Sequence, residues 1–161
     1  MNDNTVQSLE KLFYQKIMLY DDLLSCFKRE REFLMNIDME NLWTISKEKE
    51  ELGLRVKSIR QEIISISGLK ADQEPFNATY ILNTIPYQKR PQFQRLHMAI
   101  IKLKDEIEAL RKENINFIDD SLRFLDEMIA ILTGNGQHKS IYNDKCRLDK
   151  SAHNMLLSRE V

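Results

Sequence analysis

Apolar residues recur along this chain at spacings of three and four, in three stretches each long enough to be a whole helix. The first holds Val6, Leu9, Phe13, Tyr20, Leu23, Phe27 and Leu34, flanked by Leu12, Ile17 and Leu24, and predicts a helix over about 5–35. The flank widens the stripe beyond a two-stranded seam, toward the face that a helix shows in a bundle. Lys16 and Glu30 interrupt the inner row, and their long stems are expected to carry the charges out to solvent. The second stretch holds Leu42, Ile45, Lys49, Leu52, Val56, Ile59, Ile63 and Ile66. It predicts a helix over about 39–67, closed by Gly68. Between the two, "MNIDMENL" reads as a sharp reversal. Asn36 tolerates the left-handed conformation that ends a helix, and Asp38 accepts bonds from the N–H groups that open the next. So short a turn makes the two helices antiparallel. The alternative is one uninterrupted helix through residue 37.

The third ladder runs Phe93, Leu96, Ile100, Leu103, Ile107, Leu110, Asn114, Phe117, Ser121, Phe124, Met128 and Ile131. It predicts a helix over about 92–133, with Pro91 suited to its first turn and Gly134 to its end. Such a helix is roughly 60 Å long and is stable only against others. A polar residue in an apolar seam fixes register and partner number, which is one reading of Asn114 and Ser121. The other is that both only tune packing. Beyond Phe117 the apolar surface widens, because Ile118, Leu122, Leu125, Ile129 and Leu132 form a second row beside the seam. Two helices of about 30 residues leave the last turns of the longer third helix uncovered. That stripe, with Phe117 and Met128, is expected to dock another helix or a second copy of the chain.

Residues 69–91 contain all three prolines and break the periodicity, so they read as a crossover loop, with a short helix near 76–82 as a local option. Residues 135–161 open with "GNGQHKS", are mainly polar, and read as a flexible tail with few apolar anchors. The expected fold is therefore all-α. It is an elongated antiparallel bundle of three long helices with coiled-coil-like packing in 1–134, followed by the tail.

Charge removes several functions from consideration. The 24 Lys and Arg nearly cancel the 25 Asp and Glu, which argues against nucleic-acid binding. No apolar run approaches the length of a membrane span, and the first residues lack the form of a signal peptide. Cys26 and Cys146 are isolated, as in a reducing compartment, so the expectation is a soluble cytoplasmic protein. His97, His138 and His153 have no companions at metal-ligand spacing, and no nucleotide-binding glycine pattern occurs. Asp105 with Glu106, and Asp119 with Asp120, read as solvated pairs. The basic aromatic corner "YQKRPQFQR" reads as a solvated corner before it reads as a phosphate site. No metal, cofactor or enzymatic activity is expected.

Three segments carry a resemblance: "NLWTISKEKEEL" at 41–52, "LRKENINFIDDSLRFL" at 110–125, and the tail "IYNDK" with "LLSREV" at the end. With the helix–turn–helix start and the long third helix, the chain resembles the FlgN-type flagellar export chaperones. The resemblance implies a cytoplasmic chaperone that binds the C-terminal helices of hook–filament junction proteins, prevents their premature assembly and delivers them to the type III export gate. It also implies that Tyr142 occupies the place of the aromatic residue with which the family touches the gate. The long ladders alone support a different reading, a homodimeric coiled-coil scaffold without client delivery, and the same stripe is compatible with a weak homodimer.

Overall fold

The computed structural model describes residues 3–68 and 78–133, and no strand occurs among them. The periodic stretches form α1 (Asp3–Met35), α2 (Met39–Ser67) and α4 (Arg90–Leu132). A short helix α3 (Ala78–Thr84) and a 3-10 turn (Tyr87–Lys89) lie between α2 and α4. By its packing the chain divides into two units, Met1–Ile115 and Asn116–Val161. The division falls inside α4.

In the first unit α1 is buried on two sides. Leu19 and Cys26 pack with Ile45 and Leu52 of α2. Leu24 and Phe27 pack with Ile107 of α4. The largest cluster unites Val6, Leu9 and Phe13 with Ile63, Phe93, Leu96 and Ile100, and the Phe13 and Phe93 rings meet edge to face with centroids 5.5 Å apart. Helix α4 runs parallel to α1. Gln92 donates to Glu10 and Arg31 donates to the Glu113 carbonyl, and both pairs are separated by 82 residues. With α2 reversed between them, the order is up, down, up.

The described part of the crossover, from Ala78 onward, is more structured than a loop. Ile81 and Ile85 are fully buried in the same cluster as Leu9 and Phe93. Arg90 turns back, its guanidinium donating to the carbonyls of Ile85 at 3.0 Å and Asn83 at 3.1 Å, and it lies over the Tyr87 ring. The basic aromatic corner is thus partly consumed in closing α3.

The first reversal is built differently from the expected one. The Asp38 N–H donates to the Phe33 carbonyl at 2.9 Å and the Ile37 N–H to that of Leu34 at 3.3 Å. This pair of bonds ends a helix around a left-handed residue, and that residue is Ile37 (φ 56), not Asn36. For a side chain branched at Cβ the conformation costs roughly 1–2 kcal/mol. At the far end of α2 the same position is filled by Gly68 (φ 69), which adopts it without that cost. Asp38 caps α2 as expected, accepting from the Asn41 N–H at 3.1 Å, and the bonds from Asn41 hold its carboxyl below the usual range.

Lys16 departs from its expected course. It does not reach solvent but is 7% exposed among the three long helices. Burial first, then the charges of Lys104 and Arg60, lower its ammonium to about pKa 8. The same surroundings act on His97, whose pKa is lowered by burial and by Lys16 and Lys104.

Two outcomes follow for stability. Ile37→Asn should raise the thermal midpoint by about 2–5 °C, since Asn accepts the left-handed region more readily; calorimetric melting checks this. Because the folded pKa of Lys16 lies below its unfolded value of 10.5, the fold binds fewer protons between about pH 8 and 10.5 and gains stability as pH rises through that window. Lys16→Met should therefore stabilise the chain by up to roughly 3 kcal/mol below pH 8, with the advantage shrinking toward pH 10.5 in urea titrations.

Candidate helix-docking face

Along the seam of α4 burial persists through Phe93, Leu96, Ile100, Ile107 and Asn114, then stops. Asn114 is 2% exposed. Its amide nitrogen donates to the Phe27 carbonyl at 3.1 Å and to the Glu30 carboxylate at 3.0 Å. The same carboxylate pairs with Lys49 of α2, whose ammonium also sits 4.6 Å over the Phe27 ring. Three polar residues that interrupt three different apolar rows thus meet at one point. The Asn114 amide oxygen is buried and accepts no hydrogen bond among the described residues. Ser121 behaves otherwise. Its hydroxyl donates to the Phe117 carbonyl of its own helix at 2.7 Å.

From Asn116 to Leu132 the helix presents a different surface. Ile118, Leu122, Leu125, Met128, Ile129 and Leu132 are exposed, and Phe117 is half-buried. Phe124 and Ile131, the outer rungs of the ladder beside Met128, are exposed as well, at 60% and 77%. At 100° per residue these side chains cover an arc of about 180°, wider than a coiled-coil seam needs. Asp119 and Asp126 border one edge of the arc, and Asp120 and Glu127 border the other. Arg123 stands behind and pairs with Asp120. The face is therefore an apolar half-cylinder whose two margins carry only carboxylates.

Tyr142 and the tail lie outside the described residues. Among the described residues no group of three His, Cys, Asp or Glu could hold a metal ion, and no helix is long and apolar enough to cross a membrane. Cys26 is fully buried, with burial raising its thiol, and its sulfur accepts from Arg29 at 3.3 Å. A shallow cleft of about 300 Å³ between α1 and α2 is lined by Asp22, Arg29, Glu48, Glu51 and Arg55. Within it Arg29 pairs with Glu48 at 2.6 Å. Neither feature gathers a nucleophile with a base.

A family model described as FlgN protein matches residues 1–149. No curated protein and no solved structure matches the chain.

The polar junction generates a stability test. Glu30→Ala leaves Lys49 and the Asn114 amide without their shared acceptor in a mostly buried place, and should cost about 2–4 kcal/mol in urea unfolding. In a double-mutant cycle with Asn114→Ala the coupling should exceed about 1 kcal/mol, because the two side chains are in direct contact.

Proposed function

Because the chain belongs to the FlgN family, and so has a flagellar export chaperone role, we propose that residues 117–132 of α4 hold the C-terminal helix of a hook–filament junction protein. The observation that carries this reading is the exposed apolar half-cylinder: Phe117, Ile118, Leu122, Leu125, Met128, Ile129 and Leu132, joined by Phe124 and Ile131. Such a client ends in an amphipathic helix that self-associates until its apolar side is covered. Laying that side on α4 reproduces the burial of the assembled state without permitting assembly.

The margins of the face speak to the identity of its occupant. A second copy would bring carboxylates against carboxylates along both edges, the arrangement that disfavours pairing in helical seams. A client helix with basic residues beside its apolar stripe meets no such repulsion. This favours client binding over the homodimeric scaffold. The chaperone works in the cytoplasm by binding and not by catalysis, keeps the client unassembled, and delivers it to the export gate. Tyr142, from its place in the tail, makes the gate contact: its ring fills an apolar pocket while the hydroxyl stays bonded. Asn114 sets the register of the bundle from which the face extends.

The test is a calorimetric titration of the full chain with the last roughly 40 residues of a junction protein from the same organism, a length that spans a client helix and its flanks. Binding with a negative heat-capacity change is expected, weakening as salt rises. Leu125→Asp with Ile129→Asp should weaken it at least about tenfold, or roughly 1.4 kcal/mol, while helicity is unchanged. Undiminished binding by that double variant would remove the client from this face.

A further inference from the structure

The exposed face of distal α4 has a candidate occupant within the chain itself. Helix α4 is closed at Thr133, whose N–H and hydroxyl both donate to the Ile129 carbonyl at 2.9 Å. Gly134, Asn135 and Gly136 follow, residue types that accept the left-handed conformations in which a chain turns back from a helix end. By packing, residues 116–161 belong to one unit, which holds both the distal half of α4 and everything beyond it. The segment after the turn lies outside the described residues, but its length, pattern and charge are read from sequence. It runs from Gln137 to Val161, 25 residues. Even wound as a helix, at 1.5 Å per residue, such a segment spans roughly 37 Å, whereas residues 117–132 of α4 extend over only about 24 Å. Ile141, Leu148 and Met155 recur at every seventh residue, with Leu156 beside the last, the spacing that aligns side chains on one side of a helix. Ile141 to Leu156 is as long a stretch as Phe117 to Leu132.

Net charge favours the same pairing. Residues 137–161 hold five Lys and Arg against three Asp and Glu, an excess of two positive charges. Residues 117–132 hold four Asp and Glu against the one basic residue Arg123, an excess of three negative charges. We propose that in the client-free chain the C-terminal segment folds back at Gly134–Gly136 and covers the distal α4 face, laying Ile141, Leu148, Met155 and Leu156 along Leu122, Leu125 and Ile129. The tether gives the segment an effective concentration on the order of 1 mM at that face, above the bulk concentration at which a second copy competes. A second copy's own distal face is also acidic, so face-to-face pairing gains no such charge match. The covering stands without the client reading. Its consequence rests on that reading: a client helix that uses this face displaces the segment, so the segment lowers client affinity by intrachain competition.

The two cysteines make the test direct. Cys26 is fully buried, so a nitroxide reagent added to the full, folded chain labels Cys146 in the C-terminal segment. In methyl NMR spectra the label should broaden Leu122, Leu125 and Ile129 and leave the exposed Leu54 of α2 sharp. When nitroxide-bearing chains are mixed with isotope-enriched chains that carry no label, the same methyls should stay sharp, since the contact lies within one chain. Leu148→Ser with Met155→Ser should lower the paramagnetic relaxation at these methyls at least about fivefold, by removing two of the apolar side chains that hold the segment. Raising the salt concentration should lower it further. The same pair of substitutions should tighten binding of the junction-protein peptide at least about fivefold, because the intrachain competitor is weakened. Covering seen by NMR together with an unchanged peptide affinity would remove the client from this face and leave the covering in place. Sharp methyls in the labelled chain, broadening in the mixed sample, or relaxation indifferent to Leu148→Ser with Met155→Ser would overturn the proposal.

Discussion

One carboxylate joins the three long helices. Glu30 of α1 accepts from Asn114 of α4 and pairs with Lys49 of α2, and each of these residues stands where its own helix would otherwise place an apolar side chain. A polar group taken out of water without a partner costs more than the bond it makes is worth. The cost therefore acts on alignment more than on stability. Sliding α4 by one turn against α1 would bury Asn114 against an apolar rung and leave Glu30 with half its partners, whereas an all-apolar seam would accept the slip. Phe13 against Phe93 and Phe27 beside Ile107 supply burial, but aliphatic and aromatic contacts alone tolerate neighbouring registers.

Lys16 shows the opposite balance. It too interrupts an apolar row, but it is buried near the like charges of Lys104 and Arg60, and its lowered pKa records the cost. Glu30 and Lys16 thus present the same feature in sequence, a long charged residue in an inner row, with opposite consequences. What separates them is the charge of the residues that two other helices bring to the same place.

That difference marks how far the sequence could be read. Helix boundaries followed from period and punctuation: Gly68 closes α2, and the acidic residue before Met39 caps it, as local chemistry requires. Asn114, Glu30 and Lys49 were each visible as interruptions, but their convergence depends on the 82-residue offset between α1 and α4, which no single ladder encodes. The prolines of the crossover hid Ile81 and Ile85, since a seven-residue helix is too short to declare a period. Ile37 was missed for a related reason. The left-handed residue is fixed by where the last helical bond of α1 closes, and one residue's difference moves the strain from a tolerant Asn to an intolerant Ile. Phe124 and Ile131 continue the ladder and are exposed: periodicity reports which side of a helix is apolar, and it is the expected lengths of the neighbouring helices that point to uncovered last turns.

The exposure of that last stretch raises a question of stability that the helix itself answers. A 17-residue segment with an uncovered apolar half would be a marginal helix in isolation, because nucleation is costly and propagation gains little per residue. Residues 116–132 carry no nucleation cost, since they continue a helix whose first turns are ordered by Phe93, Leu96 and Ile100. Each added residue needs only to propagate. On the proposed client reading, a face made in this way is formed before its partner arrives, so the partner alone has to be ordered on contact. On the same reading affinity is limited, because the acidic margins border an occupant without enclosing it. On the client reading proposed above, a chaperone needs both properties, and residues 116–132 of α4 are where that reading puts them.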